Sequence, residues 1–158
     1  MPVTIREYVS TDLAAILAIQ RAAPEAARWN EAGYTHLAAE PSGMILVATG
    51  DTVNGTEVLG FAATACVLDE AELRNLAVGE TYRRRGVAEA LLAALAERLR
   101  RAGVRRIHLE VRPSNQAARS LYCSAGYVEQ SRRKDYYQEP AEDALVMSLE
   151  LQTAASGA

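Results

Sequence analysis

Cysteine is scarce: Cys66 and Cys123 are the only two in 158 residues. They follow neither framework nor metal-ligand spacing, so a disulfide scaffold and a thiolate zinc site are both excluded. Free thiols, with nothing at the start of the chain that reads as a secretory leader, predict a cytoplasmic setting. Histidine is equally rare, and no His/Cys cluster has the spacing that holds a metal; none is expected. No apolar run approaches the roughly 18 residues needed to cross a bilayer, so no membrane association is expected. Lysine is almost absent, since sixteen of the seventeen basic residues are arginine. The Gly-Lys-Ser/Thr ending of a Walker loop is therefore missing. The glycines do not cluster as a Rossmann fingerprint requires. Repeats, low-complexity tracts and linkers are lacking too. This predicts one domain over residues 1–150 and a frayed tail over 151–158.

What the chain does have is 49% hydrophobic residues, enough for one core without covalent staples. A net charge of −3 does not suit a generic polyanion binder. The charge is unevenly placed, however. Residues 1–80 hold 4 arginines against 11 acids, and residues 81–158 hold 13 basic residues against 9 acids. That predicts an anionic partner for the second half and a cationic one for the first; scatter over a solvated surface is the alternative.

Val3–Val9 alternates as a strand, and a helix with Leu13, Ile16, Leu17 and Gln20 on one stripe follows a cap at Ser10 or Thr11. Residues 24–41 form a weaker helical region broken by Pro24, Gly33 and Pro41. Strands are expected over Gly43–Thr49 and Glu57–Leu68, around a turn at Asn54-Gly55, and over Ala71–Val78 after a turn at Asp69-Glu70. A long helix runs from Val87 to Ala102 and stops at Gly103. The strand Arg105–Val111, the short helix Ser114–Ala125 and the strands Tyr127–Arg133 and Asp143–Leu151 complete the order β-α-α-β-β-β-α-β-α-β-β. The strand–helix–strand piece Ala71–Val111 needs a parallel crossover, and the flanking hairpins need antiparallel pairing. The expected class is α/β, with a mixed, mostly antiparallel sheet and helices on both faces.

One stretch lacks what its position calls for. The long helix opens at Arg83-Arg84-Arg85-Gly86-Val87-Ala88, without the Ser, Thr, Asp or Asn that ordinarily caps a first turn. It starts at the C-terminal edge of a parallel strand, where α/β sheets place ligands. Gly86 and Ala88 let a ligand approach the backbone, and the free N–H groups and helix dipole favour an anion, most simply a pyrophosphate. An Arg-rich turn on a solvated edge is the bland alternative.

A second constellation lies in Leu109–Tyr127. Ile107, Leu109 and Val111 share one strand face, and His108, Glu110 and Arg112 the other. A strand with parallel neighbours is usually apolar on both faces, so the ionisable face marks a cleft or a wet surface. Asn115 and Tyr122, seven residues apart, lie on one face of the next helix. Tyr122 also belongs to a packing stripe with Ala118, Leu121 and Ala125.

The hexapeptide fits Arg/Gln-x-x-Gly-x-Gly/Ala. With "LDEAELRNLAV", "HLEVRPSNQAARSLYCSAGY", "RRKDYY" and "EDALVM" in that order, Leu68–Glu150 resembles the GNAT superfamily of N-acetyltransferases, and within it the RimI group. That group acetylates the N-terminal alanine of a small-subunit ribosomal protein. The resemblance implies a GNAT-type domain whose central parallel pair splays to hold acetyl-CoA. It implies Glu110 as general base and Tyr122 as general acid, with Tyr122 also touching the cofactor. Leu76, Ala77 and Val78 would hold the pantetheine arm through their backbone. Arg83, Arg84, Arg85, Gly86, Val87, Ala88 and Glu89 would surround the pyrophosphate, and Asn115 would contact the cofactor. Trp29, Glu72, Arg74, Tyr136 and Tyr137 would line the acceptor groove. The implied partner is a protein N-terminus, of a basic ribosomal protein. Direct nucleic-acid binding is not expected, and the expected state is a monomer or weak dimer.

An α-amine, with a pKa of about 7.7–8, costs about 1 kcal/mol to neutralise at pH 7, whereas lysine costs roughly 4–5. A carboxylate base suits the former. The alternatives are a GNAT enzyme acting on protein lysine or a small amine, and a non-catalytic nucleic-acid module using Arg98–Arg106, "RLRRAGVRR".

Overall fold

The structure, a computed structural model, describes residues 2–152; of the expected tail, residues 153–158 lie outside that range. Seven strands, β1 (Thr4–Glu7), β2 (Gly43–Thr52), β3 (Gly55–Val67), β4 (Glu70–Val78), β5 (Arg106–Val111), β6 (Val128–Gln138) and β7 (Ala141–Glu150), form one sheet. Their spatial order is β1-β2-β3-β4-β5-β7-β6. Only β4 and β5 run parallel; the other neighbours are antiparallel. The helices are α1 (Leu13–Arg21), α2 (Glu31–Ala39), α3 (Val87–Arg101) and α4 (Gln116–Ser124). This is the expected order and class.

The sheet separates two cores. On one face Leu91, Leu92, Leu95 and Leu99 of α3 pack with Leu73, Ile107, Leu109 and Met147, and α4 adds Leu121 and Tyr122 at the margin. On the other, Ile16 and Ile19 of α1 and Tyr34 and Leu37 of α2 meet Val47, Phe61 and Ala77. The spacing of three and four along α3 makes the first possible.

Several boundaries differ from expectation. Neither Ser10 nor Thr11 caps α1, because Ser10–Asp12 coil into a 3-10 turn. The buried Asp12 carboxylate instead accepts from the Val9 N–H at 2.8 Å and pairs with Arg6 at 2.8 Å. The helical region foreseen from residue 24 begins only at Glu31, where the Asn30 side chain accepts from the Gly33 N–H at 2.9 Å. β2 and β3 continue to a Thr52–Gly55 pair, which shortens their turn to Val53-Asn54. Likewise β4 starts at Glu70 rather than after it, and β6 extends five residues beyond Arg133 to Gln138.

Two irregularities shape the cleft described below. β4 and β5 pair only at Glu70–Arg106, Ala71–Ile107 and Glu72–His108, and then diverge. Against β3, the register steps from Ala63–Asn75 to Thr64–Leu73, so Arg74 is the extra residue of a β-bulge. The bulge reverses side-chain parity: Leu73 belongs to the α3 core, while Asn75 bonds to groups of the α1/α2 layer.

Candidate active site

Where β4 and β5 part, a cleft of about 1540 Å³ opens across the sheet. Leu76, Ala77 and Val78 of β4 and Glu110 of β5 flank the gap, and Arg84, Val87, Ala88 and Glu89 at the start of α3, with Trp29, Tyr136 and Tyr137, also line it. Asn115 and Tyr122 of α4, with Glu72, Arg74 and Arg83, also line it. Of the residues that the resemblance assigns to the site, Arg85 and Gly86 stand off its surface, as does His108 of the ionisable face of β5.

The start of α3 is as bare as its sequence. Gly86 holds the N-cap position with φ 82°, and no side chain bonds to the first turn. An added Cβ would meet nothing nearer than the Glu89 carboxylate at 4.0 Å, so conformation rather than space demands glycine here. Arg84 also has positive φ, 63°, and Arg84 and Arg85 are exposed beside the helix start. Arg83 is otherwise engaged. Its guanidinium donates to the Val78 and Ala22 carbonyls, both at 3.2 Å, tying the end of α1 to the end of β4.

Glu110 lies on the half-buried face of β5, its side chain 11% exposed. Arg133, reaching over from β6, approaches its carboxylate to 3.3 Å. The Tyr136 hydroxyl is pushed up to about 12, first by hydrogen bonding to Glu110 and then by desolvation. Tyr122 packs 5.7 Å from the Tyr127 ring, and burial pushes its hydroxyl well above the ordinary tyrosine value. It therefore stays protonated at neutral pH and is able to donate.

Glu72, which the resemblance places on the acceptor groove, is already engaged: Arg74 Nε donates to it at 2.8 Å, and His108 Nε2 lies 3.9 Å away. Asn115 is occupied as the cap of α4, accepting from the Ala118 N–H at 3.1 Å. Among the described residues no group of three His, Cys, Asp or Glu could hold a metal, and no helix is long and apolar enough to cross a membrane.

The profile of the acetyltransferase (GNAT) family matches residues 13–127. The chain belongs to that family. As a GNAT acetyltransferase it is 40% identical, over 92% of its length and 96% of the relative's, to the [ribosomal protein bS18]-alanine N-acetyltransferase of Escherichia coli K12. It is 32% identical, over 75% of its length and 77% of the relative's, to a putative enzyme of the same name in Bacillus subtilis. Among solved structures it superimposes on the ribosomal-protein-S18-alanine N-acetyltransferase of E. coli with a TM-score of 0.84, 34% identity and 99% coverage of both chains. Ard1 from Thermoplasma volcanium gives 0.84 at 26% identity, covering 96% of this chain and 99% of that one.

Some residues of the GNAT site escaped the sequence. Asn75, 5% exposed, lies in the cleft wall and bonds to the loop between α1 and α2. A lone amide between Leu73 and Leu76 in an apolar strand was the available signal. Arg112 is one of the three charged or ionisable side chains that alternate from His108. It reaches the β6–β7 hairpin, donating to the Pro140 carbonyl at 2.8 Å and approaching Glu142 at 3.3 Å.

Proposed function

We propose that this GNAT enzyme acetylates the α-amine of a protein whose first residue is alanine, a basic ribosomal protein of the bS18 kind, using acetyl-CoA. What carries the reading is the placement of Glu110. It is the carboxylate that β5 presents to the cleft just where β5 has left β4, in a chain 40% identical over 92% of its length to a bS18-alanine N-acetyltransferase. On this reading the enzyme works in the cytoplasm.

The cleft suits acetyl-CoA. The uncapped turn at Gly86–Glu89 offers free N–H groups and a helix dipole to a pyrophosphate, and Arg84 and Arg85 add cationic charge. The β4 edge from Leu73 to Val78, unpaired to β5, offers main-chain groups to an extended pantetheine arm. Acetyl-CoA supplies the thioester whose acyl carbon the amine attacks and whose sulfur leaves. Glu110 takes the proton from the amine nitrogen, directly or through a water. The Tyr122 hydroxyl gives a proton to the departing sulfur. Burial keeps that hydroxyl protonated, so a proton is available when the sulfur leaves.

The test offers two peptides that share an alanine start and internal lysines, one with a free N-terminus and one blocked. The expected result, read by mass, is one acetyl group at the α-amine of the first and essentially none on the second. Equal modification of both would make the enzyme a lysine acetyltransferase. Success with a small amine alone would remove the protein acceptor from the reading.

A further inference from the structure

The segment joining α1 to α2 lines the cleft from Ala23 to Trp29 but has no regular secondary structure of its own. Its shape is set by side chains that belong to three other elements. Asn75 of β4 accepts from the Ala27 N–H at 3.0 Å and donates to the Ala27 carbonyl at 3.1 Å, so one amide grips both polar groups of one residue. Its second N–H donates to the Tyr34 hydroxyl of α2 at 2.8 Å. That hydroxyl donates in turn to Gln20 Oε1, and Gln20 Nε2 of α1 donates to the Trp29 carbonyl at 2.6 Å. Asn75, Gln20 and Tyr34 are 5%, 6% and 0% exposed. Every amide and hydroxyl group in this chain of bonds is used. The main chain is thus pinned immediately before and immediately after Arg28, which is left exposed on the rim of the cleft.

A buried polar network with all members satisfied rigidifies what it holds, and each member lost leaves others unpaired in a dry site. The Arg74 bulge adds a second observation. Without that extra residue Asn75 would share the face of Leu73 and point into the α3 core. The bulge turns it towards the loop. Glu110, Tyr122 and the start of α3 make no hydrogen bond to this network. The loop lines the cleft from Ala23 to Trp29; its first residues adjoin Arg83, while the network grips its far part, Ala27 and Trp29.

We infer that Asn75, through Gln20 and Tyr34, is a positioning residue for the acceptor: it fixes residues 27–29 as a rigid wall against which the N-terminal peptide is laid. This rests on the proposed acceptor. The parent enzyme is therefore first assayed with the free-N-terminus peptide, and inertness there overturns the functional reading before any variant is compared. The variants are Asn75→Ala and, as the milder change, Tyr34→Phe, which keeps the ring and removes the hydroxyl linking Asn75 to Gln20. Peptide and acetyl-CoA are varied separately, and amide exchange at Ala27 is followed in the full chain.

A lost positioning contact should raise the peptide KM about tenfold in Asn75→Ala, less in Tyr34→Phe, with kcat at saturating peptide and the acetyl-CoA KM nearly unchanged. Ala27 exchange should accelerate while β4 and α1 amides keep their protection. Should Asn75→Ala fail to fold, Tyr34→Phe must still show the KM split. An unmoved peptide KM in folded variants overturns the inference. So does an equal loss in kcat and in both KM values, which would make the network a support for the whole fold.

Discussion

The Arg112 guanidinium lies over the ring of Tyr137, its central carbon 4.2 Å from the ring centroid. One residue after β5 ends, this contact ties the strand that carries Glu110 to the hairpin that carries Tyr136. The same side chain holds the Pro140 and Glu139 carbonyls, at 2.8 and 3.3 Å. Arg112→Ala should cost about 1–3 kcal/mol, combining a cation–π contact with partly buried charged hydrogen bonds, and should raise the peptide KM. Arg112→Lys should not rescue it, because an ammonium cannot both stack and fork. Thermal melts and peptide titrations of the two variants decide the matter; full recovery in the lysine variant would leave only charge as the cause.

The open turn at Gly86 leads to a binding prediction. Gly86→Glu places a side chain on a backbone at φ 82° and a carboxylate where an anion is expected. Coenzyme A should bind at least about tenfold more weakly, since the helix end would meet a negative group of its own. Calorimetry reads this directly, and parent-like affinity would move the pyrophosphate elsewhere.

Tyr122→Phe keeps the ring against Tyr127 and removes only the hydroxyl. The melting temperature should hardly change, while kcat falls by about 10²–10⁴ where chemistry limits. A turnover number equal to the parent's would reduce Tyr122 to a packing residue.

Glu110→Gln tests the base through pH. The loss should be greatest near neutrality and shrink as pH rises past about 8, where the α-amine has already given up its proton. A deficit of constant size from pH 6.5 to 9.5, roughly the span around the amine's own pKa, would assign Glu110 to orientation instead.

Alkali should unfold the protein earlier than its carboxylate ion pairs alone imply. Burial pushes the Tyr34 hydroxyl up to about 12 in the fold, against about 10 in the unfolded chain. A raised folded value gives stability that is complete below about pH 10 and is lost as pH climbs through about 12. Tyr122 and Tyr127, also raised by burial, act in the same direction. Urea midpoints should therefore fall steadily above about pH 10, and Tyr34→Phe should flatten that slope.

The residues that line or adjoin the candidate cleft were more legible in the sequence than those that support it. Gly86 was legible because a helix without a cap is a local anomaly, and Glu110 because a charge alternates with the apolar side chains of an interior strand, although that strand has one parallel and one antiparallel neighbour. Asn75 was not, because strand periodicity puts it on the face of Leu73, and only the extra residue at Arg74 turns it over. A bulge is decided by pairing between strands, so it leaves no period in the chain itself. The cap of α1 was missed for a related reason. Ser10 and Thr11 are good caps by type, yet Arg6 draws the Asp12 carboxylate into the turn, and that carboxylate takes the Val9 N–H. The length of β6 was hidden by the excursion between Arg133 and Tyr137, which hairpin chemistry alone does not foretell.

The three rungs that join β4 to β5 have a consequence for the stability of the molecule. Beyond Glu72 and His108, the halves β1–β4 and β5–β7 share no ladder, so an extended ligand lying in the gap would act as the strand the sheet lacks. Whatever binds only the closed sheet stabilises it by mass action, by about 2.7 kcal/mol at a hundred times its dissociation constant. On the proposed reading, the melting temperature should therefore rise with the concentration of the thioester, and the two halves of the sheet should come apart more readily without it.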